Sequence, residues 1–237
     1  MSTATKRGRA EAARQAKEAL AAQERKRRAL FAGAVAVVVL IVAGLIGWAV
    51  WAGQKDGGDS GATPPAAGFT AGTGPVAVDI YADFMCPACN QFEQQTGPTV
   101  DQLAAEGKIT VTYHPIAILD RFSNGTQYST RAAAASAAAA EGGKFVPYLK
   151  ALYAQQPAEG TDGLSDDRLV EIGRSVGLGD EFAATVKDGT YRGWAKRTTD
   201  AASERGVTGT PTIYVAGQEL KDRSPAGLQA AVAAANP

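Results

Sequence analysis

Cys86 and Cys89 are the only cysteines in a chain of 237 residues. They stand two residues apart in the stretch Asp83-Phe84-Met85-Cys86-Pro87-Ala88-Cys89-Asn90-Gln91-Phe92. Two thiols at that spacing can close into a small disulfide ring and reopen, as a reversible two-electron couple requires. Two other readings compete with redox chemistry. Half of a zinc site is one, but tetrahedral zinc takes about four ligands. The chain offers no second cysteine pair and a single histidine, His114, so neither a metal nor another cofactor is expected. A purely structural disulfide is the other; so short a loop would constrain little of the unfolded chain's entropy.

The elements that must position the pair are readable on either side. Val76, Val78 and Ile80 alternate with Ala77, Asp79 and Tyr81, the pattern of a strand with one buried face. From Pro87 to Glu106 the pattern predicts a helix, with Phe92, Val100 and Leu103 facing the core and a kink at Pro98. The cysteines then lie at a strand-to-helix junction. Unpaired N–H groups and the positive end of the dipole at a helix N-terminus favour a thiolate, which marks Cys86 as the reactive sulfur. Pro87 in the first turn loses no hydrogen bond.

Ile109 to Tyr113 alternates as a second strand, ending at His114-Pro115. His114 titrates near neutrality when unperturbed, yet a lone histidine at a strand end reads first as a structural hydrogen bond or an exposed ring. It is not assigned a catalytic role. Residues 123 to 204 carry helical signals: Ser123 or Asn124 capping a helix through Ala140, Gly142-Gly143 ending it, and a second helix marked by Phe145, Leu149, Leu152 and Tyr153. A third opens at Ser165-Asp166-Asp167, with Leu169, Ile172 and Val176 on one face. Phe182 to Lys187 and Tyr191 to Arg205 suggest two more. After Gly209-Thr210-Pro211, Thr212 to Val215 is β-rich, Gly217 provides a turn, Glu219-Leu220 starts a returning strand, and Pro225 to Ala235 closes as a helix.

The formal net charge is zero, but residues 1–28 hold nine Lys or Arg against three Glu, net +6, which leaves −6 for the remainder. In that remainder Lys and Arg are scattered and outnumbered by acids, so no nucleic-acid surface is expected. Residues 29–54 carry no formal charge, and a span over 29–52 exceeds the ~20 residues needed to cross a bilayer. Trp48 and Trp51 suit an interfacial belt. The basic cluster Arg25-Lys26-Arg27-Arg28 then places the N-terminus in the cytoplasm and the C-terminal domain outside. A cleaved signal peptide is the rival reading, with an apolar region of usually ~7–15 residues and a small-x-small site; an uncleaved signal-anchor fits better. Residues 53–74, rich in Gly, Ala, Thr and Pro, read as a flexible linker, and 75–237 as one domain.

Asp83-Phe84-x-Cys86-Pro87-Ala88-Cys89 after a strand, an inserted helical region over about 116–204, and Gly209-Thr210-Pro211-Thr212 before a final hairpin and helix together resemble the DsbA-like branch of the thioredoxin superfamily. In layout the chain is similar to the membrane-anchored actinobacterial type. The resemblance implies an α/β thioredoxin fold with an inserted helical subdomain, preceded by one transmembrane helix. It implies Cys86 as nucleophile, Cys89 as its buried partner, Pro211 as the cis-proline against the disulfide, and Thr210 as the residue offering backbone groups to a bound peptide. Asp83 is implied either as a proton relay to Cys89 or as a cap of the following helix, the cap being favoured. The implied activity is oxidation of cysteine pairs in exported proteins, with re-oxidation by a membrane quinone-linked partner. One departure stands out: strongly oxidising members have Pro-His between the cysteines, and Ala88 has no side-chain donor for the Cys86 thiolate. A reductase or isomerase of exported disulfides is therefore one alternative, and a tethered peptide-binding module or holdase, needing neither cysteine, is another.

Overall fold

The computed structural model describes residues 68–235. The basic segment expected at 1–28, the membrane span at 29–52 and most of the linker lie outside the described residues. Among the described residues no helix is long and apolar enough to cross a membrane.

Five strands form one sheet in the order β1-β3-β2-β4-β5: β1 (Phe69–Ala71), β2 (Val76–Ala82), β3 (Ile109–Pro115), β4 (Thr212–Val215) and β5 (Gln218–Glu219). The central pair β2 and β3 is parallel, with Val76 opposite Ile109 and Ala82 opposite Pro115; the other pairings are antiparallel. The alternation predicted for β2 is the observed one. Val76, Val78 and Ile80 are buried in the main core, while Ala77 is exposed and Asp79 half-buried on the opposite face.

The linker expectation needs correction at its C-terminal end, because residues 69–71 are a strand. Phe69 pairs with Tyr113, and its ring lies 4.6 Å from that of Phe145 and 5.1 Å from that of Trp194. Flanking glycines that read as flexibility are instead close-approach positions. A Cβ on Gly68, where φ is +90°, would stand 2.3 Å from the Tyr113 carbonyl oxygen, and one on Gly74 would stand 2.1 Å from the Ile109 nitrogen.

Helix α1 (Pro87–Gln95) carries the cysteine pair, and α2 (Gly97–Ala105) continues it after a break at Thr96. The predicted kink is thus a full interruption. Pro98 has no N–H to give and its ring would collide with the carbonyl of the preceding turn, so the chain ends one helix and restarts with proline in the new first turn. Thr96 fastens the break by donating its hydroxyl to the Arg223 carbonyl at 2.8 Å.

Between β3 and β4 lie a 3-10 turn (Asp120–Phe122) and five helices: α3 (Tyr128–Glu141), α4 (Phe145–Ala154), α5 (Asp166–Ser175), α6 (Asp180–Asp188) and α7 (Arg192–Glu204); α8 (Pro225–Ala235) follows the hairpin of β4 and β5. The start of α3 differs from expectation. Gln127, with φ of 54°, precedes it, and Ser123 accepts the Tyr128 N–H at 3.2 Å from outside the helix, while Asp120 accepts from Thr130 N–H at 3.0 Å. The alanines of α3 are buried almost throughout, and such small side chains let α4, α6 and α7 approach closely. The insertion and the sheet share one apolar core, which runs from Val78 and Ile80 through Phe84 and Phe92 to Tyr148, Leu152 and Leu169.

Candidate active site

β2 ends at Ala82, a turn spans Asp83 to Met85, and α1 begins at Pro87 with Cys86 as its N-cap in extended conformation (φ −75°, ψ 117°). No side chain caps this helix, so its first N–H groups face the Cys86 sulfur. Both thiols are free. The Cys86 thiol is held down to about 6. The largest cause is a hydrogen bond from the Cys89 thiol, with further ones from the Thr210 side chain and the N–H groups of Cys89 and Ala88, working against burial. Cys89, one turn on and 2% exposed, is pushed well above the usual thiol range, chiefly by burial and then by its bond to Cys86. The two sulfurs of one short motif are thereby made chemically unequal.

The fold brings Thr210 and Pro211 to this pair. β4 lies beside β2, with Thr212 opposite Tyr81, so the residues entering β4 meet those leaving β2. The Cys86 thiol reaches the Thr210 carbonyl oxygen at 3.3 Å, and the Thr210-Pro211 peptide bond is cis.

Asp83 does not cap α1. It precedes the N-cap by three residues, and its carboxylate turns into the core, where it finds better donors. Oδ1 accepts from Met85 N–H at 2.9 Å and from the Ser129 hydroxyl at 2.7 Å, and Oδ2 accepts from Leu119 N–H at 2.9 Å. Burial pushes its carboxyl up to about 7 despite these three donors. The Asp83 backbone N–H meets the Cys89 sulfur, while its carboxylate is turned to Met85, Leu119 and Ser129.

His114 is engaged elsewhere. Its Nε2 pairs with Asp79 Oδ1 at 2.8 Å, its ring stacks on Tyr81 at 4.2 Å, and burial lowers its tendency to protonate.

A family model described as thioredoxin matches residues 69–234. Among solved structures, the reduced disulfide bond oxidoreductase DsbG of Mycobacterium tuberculosis is 33% identical, with a TM-score of 0.61 over 75% of this chain and 90% of that one. Oxidised DsbA of the same organism is also 33% identical, with a TM-score of 0.61 over 69% of this chain and 89% of its own. The chain belongs to the DsbA-like branch of the thioredoxin superfamily. The serine/threonine-protein kinase PknE of M. tuberculosis is 27% identical over 164 residues, 65% of this chain; the match spans only 29% of the kinase's length.

Several contacts at this DsbA-like site were not legible in the sequence. Ser129, in the first turn of α3 ahead of the alanine run, gave no sign that its hydroxyl would meet a carboxylate 46 residues away. Gln156, just past α4, donates to the carbonyls of Phe84 at 3.0 Å and Cys86 at 2.9 Å. Tyr153 packs on Phe84, and its hydroxyl donates to the Asp83 carbonyl at 3.4 Å. No local pattern marks such contacts, because their partners are set by the docking of the insertion onto the thioredoxin core.

Proposed function

We propose that this chain is a membrane-anchored thiol:disulfide oxidoreductase that oxidises cysteine pairs of exported proteins through a Cys86–Cys89 disulfide. The observation that carries the reading is the inequality of the two thiols: Cys86 at a bare helix N-terminus with its thiolate favoured, Cys89 buried and held protonated.

In the oxidised form a substrate thiolate attacks the Cys86 sulfur. A substrate–Cys86 bond forms, the Cys86–Cys89 bond breaks, and the electron pair leaves on Cys89. Burial makes a lasting charge there costly, so the Cys89 sulfur takes up a proton, and in this reading Asp83, whose carboxyl is raised to about 7, relays it. A second substrate thiolate then attacks the substrate sulfur of the mixed disulfide and expels the Cys86 thiolate. The substrate gains one disulfide, and the enzyme holds the two electrons as a dithiol. Stabilisation of the Cys86 thiolate makes it a good leaving group and drives the transfer. Thr210 and Pro211, beside the Cys86 sulfur, offer the surface on which the substrate backbone lies. A membrane partner that passes electrons to quinone would restore the disulfide.

Anchoring through 29–52 and an extracytoplasmic catalytic domain rest on the +6 segment ahead of the uncharged span. A reporter active only outside the cytoplasm, fused after Pro237, should be active; an inactive one beside an active cytoplasmic reporter would remove this placement.

The direction of electron flow is tested by the reduction potential of the purified protein. A value near the ~−120 mV of strong oxidants supports the oxidase, and one near the ~−270 mV of thioredoxin overturns it in favour of a reductase. Ala88, exposed and without a side-chain donor, favours that second reading.

A further inference from the structure

Gln156 follows α4, 70 residues from Cys86, yet its carboxamide binds the redox turn at three points. Nε2 donates to the carbonyls of Phe84 and Cys86, and Oε1 accepts from Asn90 Nδ2 on α1 at 3.2 Å. Asn90 in turn donates to the Tyr153 carbonyl at 3.1 Å and accepts from Gln94 Nε2 at 3.0 Å. The partners dictate the orientation of the Gln156 amide, since only its nitrogen can serve two carbonyls.

The loop that delivers Gln156 is fixed from its other end. Gly160 N–H donates to the Phe122 carbonyl at 2.8 Å, Asn124 Nδ2 donates to the Gly160 carbonyl at 3.1 Å, and Arg131 Nη1 donates to the Leu164 carbonyl at 2.7 Å. The donor is therefore held in place before any substrate arrives.

We propose that Gln156 is a positioning residue for thiol–disulfide exchange: by holding the Phe84 and Cys86 carbonyls, it leaves the N–H end of α1 facing the Cys86 sulfur and keeps these two carbonyls from joining that of Thr210 beside it. The inference rests on the reading of Cys86 as the exchanging thiol. The Cys86 carbonyl is already aimed along α1 by the N–H groups of Cys89 at 3.1 Å and Asn90 at 3.2 Å. The Phe84 carbonyl belongs to the turn before the helix, and Gln156 restrains it. Without that donor the turn is freer to rotate, and its oxygen's partial negative charge opposes a neighbouring thiolate far more than a thiol. Loss of Gln156 should raise the pH at which Cys86 deprotonates and make the couple less oxidising, because the reduced form loses part of its stabilisation.

The test titrates the Cys86 thiolate by its ultraviolet absorbance and measures the equilibrium constant with glutathione, in wild type, Cys86→Ser, Gln156→Met and Asn90→Ala. Gln156 is half-buried and water replaces part of the donor, so Gln156→Met should shift the equilibrium constant by about threefold to tenfold, tenfold being about 30 mV for this couple. Asn90→Ala, which frees the Gln156 amide without removing it, should shift both readouts the same way by less. A lower melting temperature with an unchanged titration and equilibrium constant overturns the role of Gln156 alone. If Gln156→Met does not fold, Asn90→Ala decides by the same readouts, and no shift there overturns the inference. A wild type whose titration below the ordinary thiol range survives in Cys86→Ser overturns the reading of Cys86 and the inference with it.

Discussion

The sulfur of Cys86 lies 3.3 Å from the carbonyl oxygen of Thr210, across 124 residues of sequence. In the proposed exchange a substrate that attacks Cys86 would meet the segment entering β4 at once, and the bond it makes would form against that backbone. Cys86 is itself buried, at 7% exposure against 2% for Cys89, so it is the more accessible of the two sulfurs by a small margin only. In Cys89→Ser the Cys86 thiolate can attack a substrate disulfide, expel one substrate thiolate and keep the other sulfur in a mixed disulfide that no Cys89 thiol remains to break, so reductant-releasable substrates should accumulate in a pull-down. Cys86→Ser should trap few. Equal trapping by the two variants would reverse or cancel the assignment, and equal, reductant-insensitive capture would favour the holdase.

The Cys86 thiol titrates at about 6, so its alkylation rate in the reduced protein should reach half its plateau there and be flat by about pH 8, where an unperturbed thiol of pKa about 8.5 is still gaining. The folded value lies below the unfolded one. The reduced fold accordingly gains stability as pH rises through this window and loses it as pH falls towards 6. A rate still climbing at about pH 8 would contradict the lowered value.

Asp83 shifts in the opposite sense, to about 7 from an ordinary value of 3.8. The folded state keeps a proton that the unfolded chain releases, so this contribution to stability is complete at the acid end and is lost as pH rises through about 7. Asp83→Asn removes the titration. Its amide nitrogen would face the Leu119 N–H, donor against donor, but that cost does not change with pH. The variant's melting temperature should therefore recover relative to wild type between about pH 4 and about pH 7; parallel curves would show that Asp83 does not titrate in this range.

Phe69 fills the space between Phe145 and Trp194 and is 7% exposed. Phe69→Ala should destabilise the domain by about 3–5 kcal/mol, read as a lower denaturant midpoint at unchanged slope. A chain begun at residue 75 should lose at least as much. Wild-type stability in either would mean that β1 is dispensable.

Much of this arrangement was legible, and the illegible parts share a cause. Val76, Val78 and Ile80, like Ile109, Val111 and Tyr113, announce their strands because burial of one face imposes a period of two. The placement of Cys86 and Cys89 at a strand-to-helix junction follows from the same local pattern. β1 escaped because three residues are too few for a period, and glycines required by close backbone approach look like glycines of a tether. The direction of the Asp83 carboxylate escaped because its donors at Leu119 and Ser129 stand 36 and 46 residues away. Gln156 escaped likewise. The start of α3 was misplaced because Ser123 serves the helix from across a turn in which Asn124 and Gln127 both take positive φ.

β1 has a mechanical consequence. If the chain ahead of Gly68 is tied to a membrane and Cys86 is tied by a mixed disulfide to a substrate still emerging or diffusing, tension between the two passes along the segment from β1 to β2. Three residues pair β1 with β3, whereas seven pair β2 with β3. The short edge strand yields first and lengthens the tether, so a pull peels Phe69 from its pocket while the strand that carries Cys86 into its turn stays in register.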